Sequence, residues 1–394
     1  MRFLLVVPPL VGHVAPLRGV AAALTADGHE VAWCGPEPMT TTLIGGAQTG
    51  DPSVFAAGDS EAFAVEKRPT GLRGFAALRQ LWTNYLLPLA DEMICGVDAA
   101  VSAFEPDVLV VDQQAFAGAL VAMRRDVPWA TSASTSTELA DPFAAMPKIA
   151  SWIDGLQYEL RARHDVVGGD LRFSPHLVLT YTTTELAGEP APRFKGTVRY
   201  VGPAPVPPAT AAFPWHLLDG RPLVLVTLGT ANPELGTPFL AGCVEALEHL
   251  PHLQGVVVDP TGELVADHVV LARRVPQVEL LRKAAAVVCH GGHNTVCEAL
   301  RDGVPLIVAP IRDDQSMLAE QVVAAGAGVR LRFDRADTLD IRHAIDAVLT
   351  SPAYAASAER IRASFDVAGG ATAAAQHLIA LATATARHHA GRTT

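Results

Sequence analysis

The chain has 394 residues, of which 49% are hydrophobic and 18% are charged, and its formal net charge is −11. This length is enough for two domains of roughly 150 to 200 residues, and the apolar content excludes an intrinsically disordered protein. The negative charge argues against nucleic acid or an anionic membrane as the main partner, because both repel an acidic protein.

The five cysteines are odd in number and show no C-x-x-C spacing, which is typical of reduced thiols in a cytoplasmic protein. The apolar start of the chain lacks the basic region and cleavage pattern of a signal peptide, so we interpret it as a first strand. No run of about 18 apolar residues occurs, and we therefore predict no transmembrane segment and a cytoplasmic location.

The first half of the chain alternates apolar strands with segments of helical periodicity. We predict strands at 2–8, 30–34, 108–112 and 128–131, and helices at 16–26 and 116–124. Apolar strands that alternate with helices are typical of an α/β domain with a doubly wound parallel sheet. We therefore predict a first Rossmann-like domain over residues 1–203.

Two less regular segments of this half, 51–105 and 143–158, carry aromatic side chains that have two interpretations. They pack ordinary helices, or they form an apolar pocket for an acceptor molecule at the edge of the sheet. The candidate acceptor-binding residues are Phe55, Trp82, Tyr85, Phe143, Met146 and Trp152.

A proline-rich stretch at 204–221 predicts a semi-rigid linker. After it we predict strands at 223–228, 254–258, 269–271, 287–289 and 306–309, and helices at 238–249, 277–285, 294–301, 315–326, 340–349 and 355–365. This second series predicts another Rossmann-like domain over 222–375. The last helix, with a tail over 376–394, is expected to return to the first domain.

The segment 287–315 combines a strand, a glycine turn, a helix and a second strand. Gly292 and its glycine neighbour let the backbone approach a ligand, and the helix start offers unpaired N–H groups and a positive dipole end. These features describe an anion site. Neither GxxxxGK[ST] nor GxGxxG occurs, which disfavours ATP, GTP and NAD as ligands. The side-chain donors around the turn are His290, Asn294 and Thr295.

A diphosphate on the helix start, a diol held by Glu298 and further hydroxyls held by Asp314 and Gln315 together describe a nucleoside diphosphate sugar. Asp313 is an alternative to Asp314, although the spacing from His290 favours Asp314. The segment resembles the donor-binding signature of family 1 glycosyltransferases, HGGxNTxxEAL…GVPxxxxPxxxDQ. The resemblance implies the GT-B architecture, in which two Rossmann-like domains face each other across a cleft, and it points to bacterial natural-product and macrolide glycosyltransferases.

Two further segments resemble donor-binding motifs of this family. The TLGT loop after the first strand of the second domain resembles the phosphate-facing loop, which implies roles for Thr227, Gly229 and Thr230. The stretch 274–277 resembles the base-binding motif, which implies roles for Arg274, Val275 and Gln277. Many members have tryptophan where Arg274 stands. A guanidinium plane can also stack on a base, but Arg274 has the alternative interpretation of an ordinary surface residue.

His13 follows the first predicted strand, at the carboxyl edge of the sheet where α/β proteins bind ligands. Histidine titrates near neutrality and suits removal of a proton from a hydroxyl during sugar transfer. Its GHVxPL context resembles the catalytic-histidine loop of the family, which implies that His13 is the general base. The alternative is a histidine that only caps the first helix.

Asp112 ends a buried strand, and the same sheet edge carries His13. A carboxylate that holds an imidazole N–H fixes the tautomer of the ring and stabilises the imidazolium. The resemblance places the acidic partner of the base in this region and implies that role for Asp112. The alternative is an N-cap for the helix at 116–124.

We therefore predict an inverting glycosyltransferase that moves a hexose to a hydroxyl of an apolar natural product without a metal or other cofactor. UDP-glucose is the preferred donor, and a dTDP-deoxysugar is the alternative. Two other functions stay open from the sequence: a sugar-nucleotide epimerase on the same fold, and a non-catalytic sugar-nucleotide-binding protein. The presence of both His13 and Asp112 argues against a pure binding protein, which has no use for a positioned base.

Overall fold

The computed structural model describes residues 1–45, 53–63, 71–72, 74–194, 196–205, 212–229, 233–312 and 314–390. The chain divides into two compact units. Unit 1 comprises Met1–Thr182, Glu189–Val206 and Ala368–Thr394, and unit 2 comprises Thr183–Gly188 and Pro207–Val367.

Unit 1 is built on a seven-stranded sheet in the order β3-β2-β1-β4-β5-β6-β7, and all its strand pairs are parallel. Its strands are β1 (Arg2–Val6), β2 (Glu30–Glu37), β3 (Ser53–Asp59), β4 (Val108–Asp112), β5 (Trp129–Ala133), β6 (Val178–Thr180) and β7 (Val198–Tyr200). The central strands are apolar because helices cover both faces of the sheet. The helices before β6 are α1 (Val11–Ala26), α2 (Met39–Ile44), α3 (Gly74–Leu81), α4 (Leu87–Phe104), α5 (Phe116–Arg124) and α6 (Pro147–Arg163).

Unit 2 repeats this design with a six-stranded parallel sheet in the order β10-β9-β8-β11-β12-β13. Its strands are β8 (Leu223–Thr227), β9 (Gln254–Val258), β10 (Val270–Ala272), β11 (Ala284–Cys289), β12 (Leu306–Val308) and β13 (Gly328–Arg330). The helices are α7 (Thr184–Ala187), α8 (Pro233–Glu248), α9 (Gln277–Leu281), α10 (His293–Arg301), α11 (Gln315–Ala324), α12 (Thr338–Thr350) and α13 (Pro352–Ala368). The prediction of two α/β domains with parallel sheets is confirmed.

The strand order of each sheet reverses at one point, which lies between β1 and β4 in unit 1 and between β8 and β11 in unit 2. Loops that follow the two strands at such a point diverge to opposite faces of the sheet, and the crevice between them is where α/β proteins bind ligands. The carboxyl ends of these four strands therefore mark the places where functional side chains are expected.

The last helix, α14 (Gly370–Ala390), belongs to unit 1 and packs against α1. By length and composition alone, the segment Pro352–Ala386 could cross a membrane. It contains α13 and most of α14. Gly369 between the two helices and Gly370 at the start of α14 have left-handed backbone conformations, with φ of 84° and 60°. The apolar face of α14 is part of the core of unit 1.

Candidate active site

His13 lies in the first turn of α1, directly after β1. The helix starts at Val11, where the backbone N–H groups of His13 and Val14 both donate to the carbonyl of Leu10. The prediction that this helix begins near Pro16 is wrong, because Pro16 lies inside it. The N-cap, Leu10, makes no side-chain cap bond, so capping by His13 is not what starts the helix.

The imidazole of His13 contacts the carboxylate of Asp112 at the point of unit 1 where the strand order reverses, its switch point. Nδ1 of His13 lies 2.8 Å from Oδ1 of Asp112, which is fully buried, whereas the His13 side chain is 16% exposed. The backbone N–H of Gln114 also donates to Oδ1, at 2.9 Å. Asp112 is not the N-cap of α5, because Ala115 occupies that position and makes no side-chain cap bond. The two residues that the sequence proposed as a pair are therefore in contact.

This contact determines which nitrogen of His13 faces a ligand. An ionised carboxylate can only accept hydrogen bonds, so the neutral ring carries its proton on Nδ1. Nε2 is then left with a lone pair that can accept a proton. Because a buried carboxylate is costly without partners, the contacts with His13 and with the Gln114 N–H offset the cost of burying Asp112. The arrangement fits the predicted pair of a general base and its orienting acid, and that role stays a prediction.

His290 follows β11 at the switch point of unit 2, and its ring is enclosed by two glycines. A Cβ atom on Gly229 would lie 2.7 Å from Cε1 of the ring, and one on Gly292 would lie 2.4 Å from Nε2. Neither distance is compatible with a side chain at those positions, so both glycines are required for this placement of the imidazole. Gly229 also has a φ of 71°, which favours glycine.

Burial lowers the pKa of His290 to about 4, and the charge of Arg312 acts in the same direction, while the Thr227 backbone opposes the shift. His290 is therefore a neutral imidazole at pH 7. A neutral imidazole has a single N–H, which can donate one hydrogen bond, either to the Thr227 backbone or to an anion.

The pKa of His290 predicts a specific pH dependence of stability. Because the ordinary pKa of 6.5 falls to about 4 on folding, the unfolded chain binds a proton between these values and the folded chain does not. Stability is then fully present above about pH 6.5 and declines, by on the order of 3 kcal/mol, as the pH falls to about 4. The free energy of unfolding is measured in urea at pH 7.5 and at pH 4.5. It should fall more between these two pH values in wild type than in His290→Gln. Equal losses in the two proteins would contradict the prediction.

Helix α10 begins at His293, directly after Gly292, which is its N-cap and has no side chain to cap the first turn. Asn294 and Thr295 lie in that first turn. The first N–H groups of a helix have no partner within the helix, and they carry the positive end of the helix dipole. His290 and the start of α10 are therefore neighbours and candidates for one anion-binding surface, a role that stays a prediction.

Glu298, one turn further along α10, is in contact with Gln277 at the start of α9. Nε2 of Gln277 donates to Oε2 of Glu298 at 2.7 Å. Burial raises the pKa of Glu298, and the bond from Gln277 partly offsets the rise. Glu298 is therefore not on a solvated helix face. This bond joins Glu298, the candidate for the ribose, to Gln277 of the candidate base-binding motif.

Gln315, the first residue of α11, uses its side-chain oxygen to bind the backbone of the loop before the helix. Its Oε1 accepts the backbone N–H groups of Ile311 and Arg312, at 2.8 and 3.0 Å. These bonds fix the orientation of the amide, because a backbone N–H needs an oxygen as acceptor. Only the amide nitrogen then remains to donate to a ligand. Asp314 precedes it as the N-cap of α11.

The other donor-site candidates differ in their surroundings. Thr227 is the buried last residue of β8, at the switch point. Val275 packs against the core of unit 2, and Arg274 next to it is exposed. Thr230 and Asp313 lie outside the described residues.

Two of the candidate acceptor-binding residues are core residues. Trp82 and Tyr85 lie in a π-helical turn, Trp82–Leu86, between α3 and α4, and they are 2% and 5% exposed. The Trp82 ring packs against Phe116, and the Tyr85 ring packs against Phe63. For these two residues the structure favours the interpretation that they pack helices.

The remaining acceptor candidates lie nearer the surface. Phe55 and Phe143 are partly buried against the core of unit 1. Trp152 on α6 is also partly buried, and its ring contacts the half-exposed ring of Phe75 on α3, with centroids 5.2 Å apart. Met146 is exposed. Their role in binding an acceptor stays a prediction.

Ser134 was not among the predicted site residues, but its Oγ lies 2.8 Å from Nδ1 of His13. The signal was present in the polar run TSASTST, in which β5 ends and the loop begins at the same sheet edge as His13. All five cysteines are free thiols, and the described part of the chain contains no group of three or more His, Cys, Asp or Glu side chains that could hold a metal ion.

Comparisons with a family model and with known proteins show what the chain is similar to. A family model described as the C-terminal domain of erythromycin biosynthesis protein CIII-like proteins matches residues 255–381. The chain is 30% identical to 4'-demethylrebeccamycin synthase of Lentzea aerocolonigenes, covering 92% of this chain and 94% of that protein. It is 28% identical to demethyllactenocin mycarosyltransferase of Streptomyces fradiae, covering 93% and 83%.

Solved structures show the same likeness. Spinosyn rhamnosyltransferase SpnG complexed with thymidine diphosphate is 26% identical to the chain and has a TM-score of 0.73, covering 96% of this chain and 100% of that one. SpnG complexed with the spinosyn aglycone is 25% identical with a TM-score of 0.72, at the same coverage.

Proposed function

Because the chain belongs to the GT-B glycosyltransferases of antibiotic and natural-product biosynthesis, we propose that it transfers a hexose from a nucleoside diphosphate to a hydroxyl of an apolar natural product. The observation that carries the proposed mechanism is the 2.8 Å contact between His13 and Asp112. It supports His13 as the general base of the transfer.

The reaction is a single displacement. The acceptor oxygen attacks the anomeric carbon while its proton moves to Nε2 of His13, and the bond from the anomeric carbon to the diphosphate breaks. The nucleoside diphosphate takes the electron pair of that bond and leaves. Asp112 remains ionised and stabilises the imidazolium. One displacement inverts the anomeric configuration and requires no nucleophile from the enzyme.

The leaving group is assigned to the anion-binding surface of unit 2. The start of α10 and the neutral imidazole of His290 can donate hydrogen bonds to the diphosphate, and Asn294 and Thr295 add side-chain donors. Donors that are aimed in advance at the charge of the leaving group stabilise the transition state. We therefore expect transfer without an added divalent metal. Glu298 is assigned to the ribose diol.

The donor we propose is a dTDP-deoxysugar, with UDP-glucose as the alternative. SpnG is a rhamnosyltransferase complexed with thymidine diphosphate, and the Streptomyces fradiae relative is a mycarosyltransferase. The preference for glucose depended on a full set of hydrogen bonds from Asp314 and Gln315. Gln315 uses its oxygen on the backbone of its own loop, which weakens that preference. The planar guanidinium of exposed Arg274 is available to stack on the thymine.

The acceptor we propose is an apolar aglycone bound by unit 1, as SpnG has been complexed with a spinosyn aglycone. Among the described residues, Phe75, Met146 and Trp152 offer partly exposed apolar surface on α3, on α6 and just before it. The free thiols support a cytoplasmic location.

The test is incubation with a dTDP-deoxysugar or UDP-glucose and a panel of apolar hydroxyl compounds, including a macrolactone and an aromatic aglycone. We expect acceptor-dependent release of dTDP, a product heavier by one sugar, and an inverted anomeric centre in its proton NMR spectrum. A product with retained configuration would contradict the mechanism. A donor converted into its epimer without an acceptor would indicate an epimerase, and an unchanged donor that still binds would indicate a non-catalytic binding protein.

A further inference from the structure

Ser134 occupies a defined position beside the His13–Asp112 pair. It directly follows β5, the strand next to β4, and Asp112 at the end of β4 pairs in register with Ser132. The backbone N–H of Ser134 donates to the carbonyl of Ser132 at 3.1 Å, which turns the chain at this point. Ser134 is 5% exposed, so its hydroxyl is held inside the protein.

The hydroxyl of Ser134 shares one nitrogen of His13 with Asp112. Oγ of Ser134 and Oδ1 of Asp112 each lie 2.8 Å from Nδ1. The carboxylate requires a proton on Nδ1, so the serine oxygen is a second acceptor for the same N–H. If Asp112 were its only partner, the His13 ring could rotate about the line that joins Nδ1 to Oδ1 of Asp112. A second contact from another strand removes this freedom.

The neighbouring polar side chains of this loop have other partners. Oγ of Ser132 is 2.9 Å from the hydroxyl of Tyr181. Oγ1 of Thr135 is 3.3 Å from Oγ1 of Thr137. Serine hydroxyls at strand ends often bond to nearby backbone, but the contact of Ser134 reaches a ring 121 residues away in the sequence.

We propose that Ser134 is a positioning residue of the transfer reaction, which holds the His13 ring together with Asp112 so that Nε2 faces the acceptor hydroxyl. This inference rests on the proposed role of His13 as the base. Both acceptors on Nδ1 interact more strongly with the imidazolium that forms during transfer than with the neutral ring. The contribution of Ser134 therefore falls on kcat rather than on the KM for the donor.

The experiment compares Ser134→Ala with Ser132→Ala in the full chain. Ser132 is the matched control, because it is a buried serine two residues away whose side chain contacts Tyr181. We expect Ser134→Ala to lower kcat by about five- to tenfold, the effect of one neutral hydrogen bond, with donor KM unchanged within about twofold. Ser132→Ala should leave kcat near the wild-type value.

A second measurement does not depend on activity. In protein with ¹⁵N-labelled histidine, where the His13→Gln spectrum identifies the His13 signals, wild type should show the pattern of a ring protonated on Nδ1. Ser134→Ala should keep this tautomer, because Asp112 still accepts the Nδ1 proton, but it should shift the Nδ1 signal through the loss of one hydrogen-bond acceptor. Ser132→Ala should leave the His13 signals unchanged. Wild-type kcat together with unchanged His13 signals in Ser134→Ala would overturn this inference alone. A His13→Ala enzyme that keeps more than about a tenth of the wild-type kcat would instead overturn the proposed role of His13 as the base.

Discussion

Replacing His13 with alanine is expected to lower kcat for sugar transfer by about 10³-fold, because a positioned general base contributes roughly 10² to 10⁴ in rate. The variant loses the acceptor of the hydroxyl proton and leaves Asp112 as a buried carboxylate without its imidazole partner. Donor affinity should remain, since the diphosphate is assigned to unit 2. The measurement is the steady-state rate of acceptor glycosylation, with the KM for the donor determined in parallel.

The matched control for this prediction is His176→Ala, which removes an exposed histidine of the same unit. It should retain the wild-type rate. A His13→Ala enzyme with more than about a tenth of the wild-type kcat would show that His13 is not the base, because that loss is below the contribution of general base catalysis.

Replacing Gly292 with alanine is expected to weaken dTDP binding by about 10- to 100-fold. The new Cβ atom would lie 2.4 Å from Nε2 of His290, so the ring or the turn has to move. Either movement separates the imidazole from the start of α10 and breaks the anion-binding surface. A hydrogen bond to a charged group contributes about 1.5 to 3 kcal/mol, which corresponds to this loss of affinity. Titration calorimetry with dTDP measures the change.

Gly155→Ala is the control for the glycine substitution. Gly155 lies within α6, and a Cβ atom there would have no heavy atom within 4 Å. Alanine has the higher helix propensity, so this variant should fold at least as well as wild type and bind dTDP with wild-type affinity. Unchanged dTDP affinity in Gly292→Ala would contradict the assignment of the diphosphate to this turn.

Segments whose signals are local could be predicted closely. The helix predicted at 294–301 is observed at His293–Arg301, and the strand predicted at 306–309 is observed at Leu306–Val308. Here the glycines, the helical periodicity and the buried strands lie within one short stretch of the chain, so their preferences agree with the tertiary structure.

Elements that depend on distant contacts were missed or misplaced. The strands β3, β6, β7 and β13 were not predicted. β6, β7 and β13 have three residues each, which is too few to show periodicity. β3 is longer, but it is an edge strand whose pairing with β2 determines it. Helix α9 ends at Leu281, earlier than predicted, because β11 begins at Ala284 and takes up the apolar run that follows. An apolar run of this length does not distinguish a strand from a helix.

The candidate site also contains residues with local sequence signals and residues that only the fold brings together. His290 and Gly292 could be singled out because the turn, the helix start and the strand are adjacent in the sequence. Ser134 could not, because its contact with His13 exists only after β1 and β5 have taken their places in one sheet. The use of the Gln315 oxygen by its own loop was also not predictable from residue type.

We assign the chemistry to His13 in unit 1 and donor binding to the His290 turn in unit 2. The most direct test of this division of roles is a calorimetric titration of wild type, His13→Ala and Gly292→Ala with dTDP. The predicted result is the same affinity for wild type and His13→Ala and a clear loss for Gly292→Ala. No binding by wild type, or an equal loss of affinity in both variants, would contradict it.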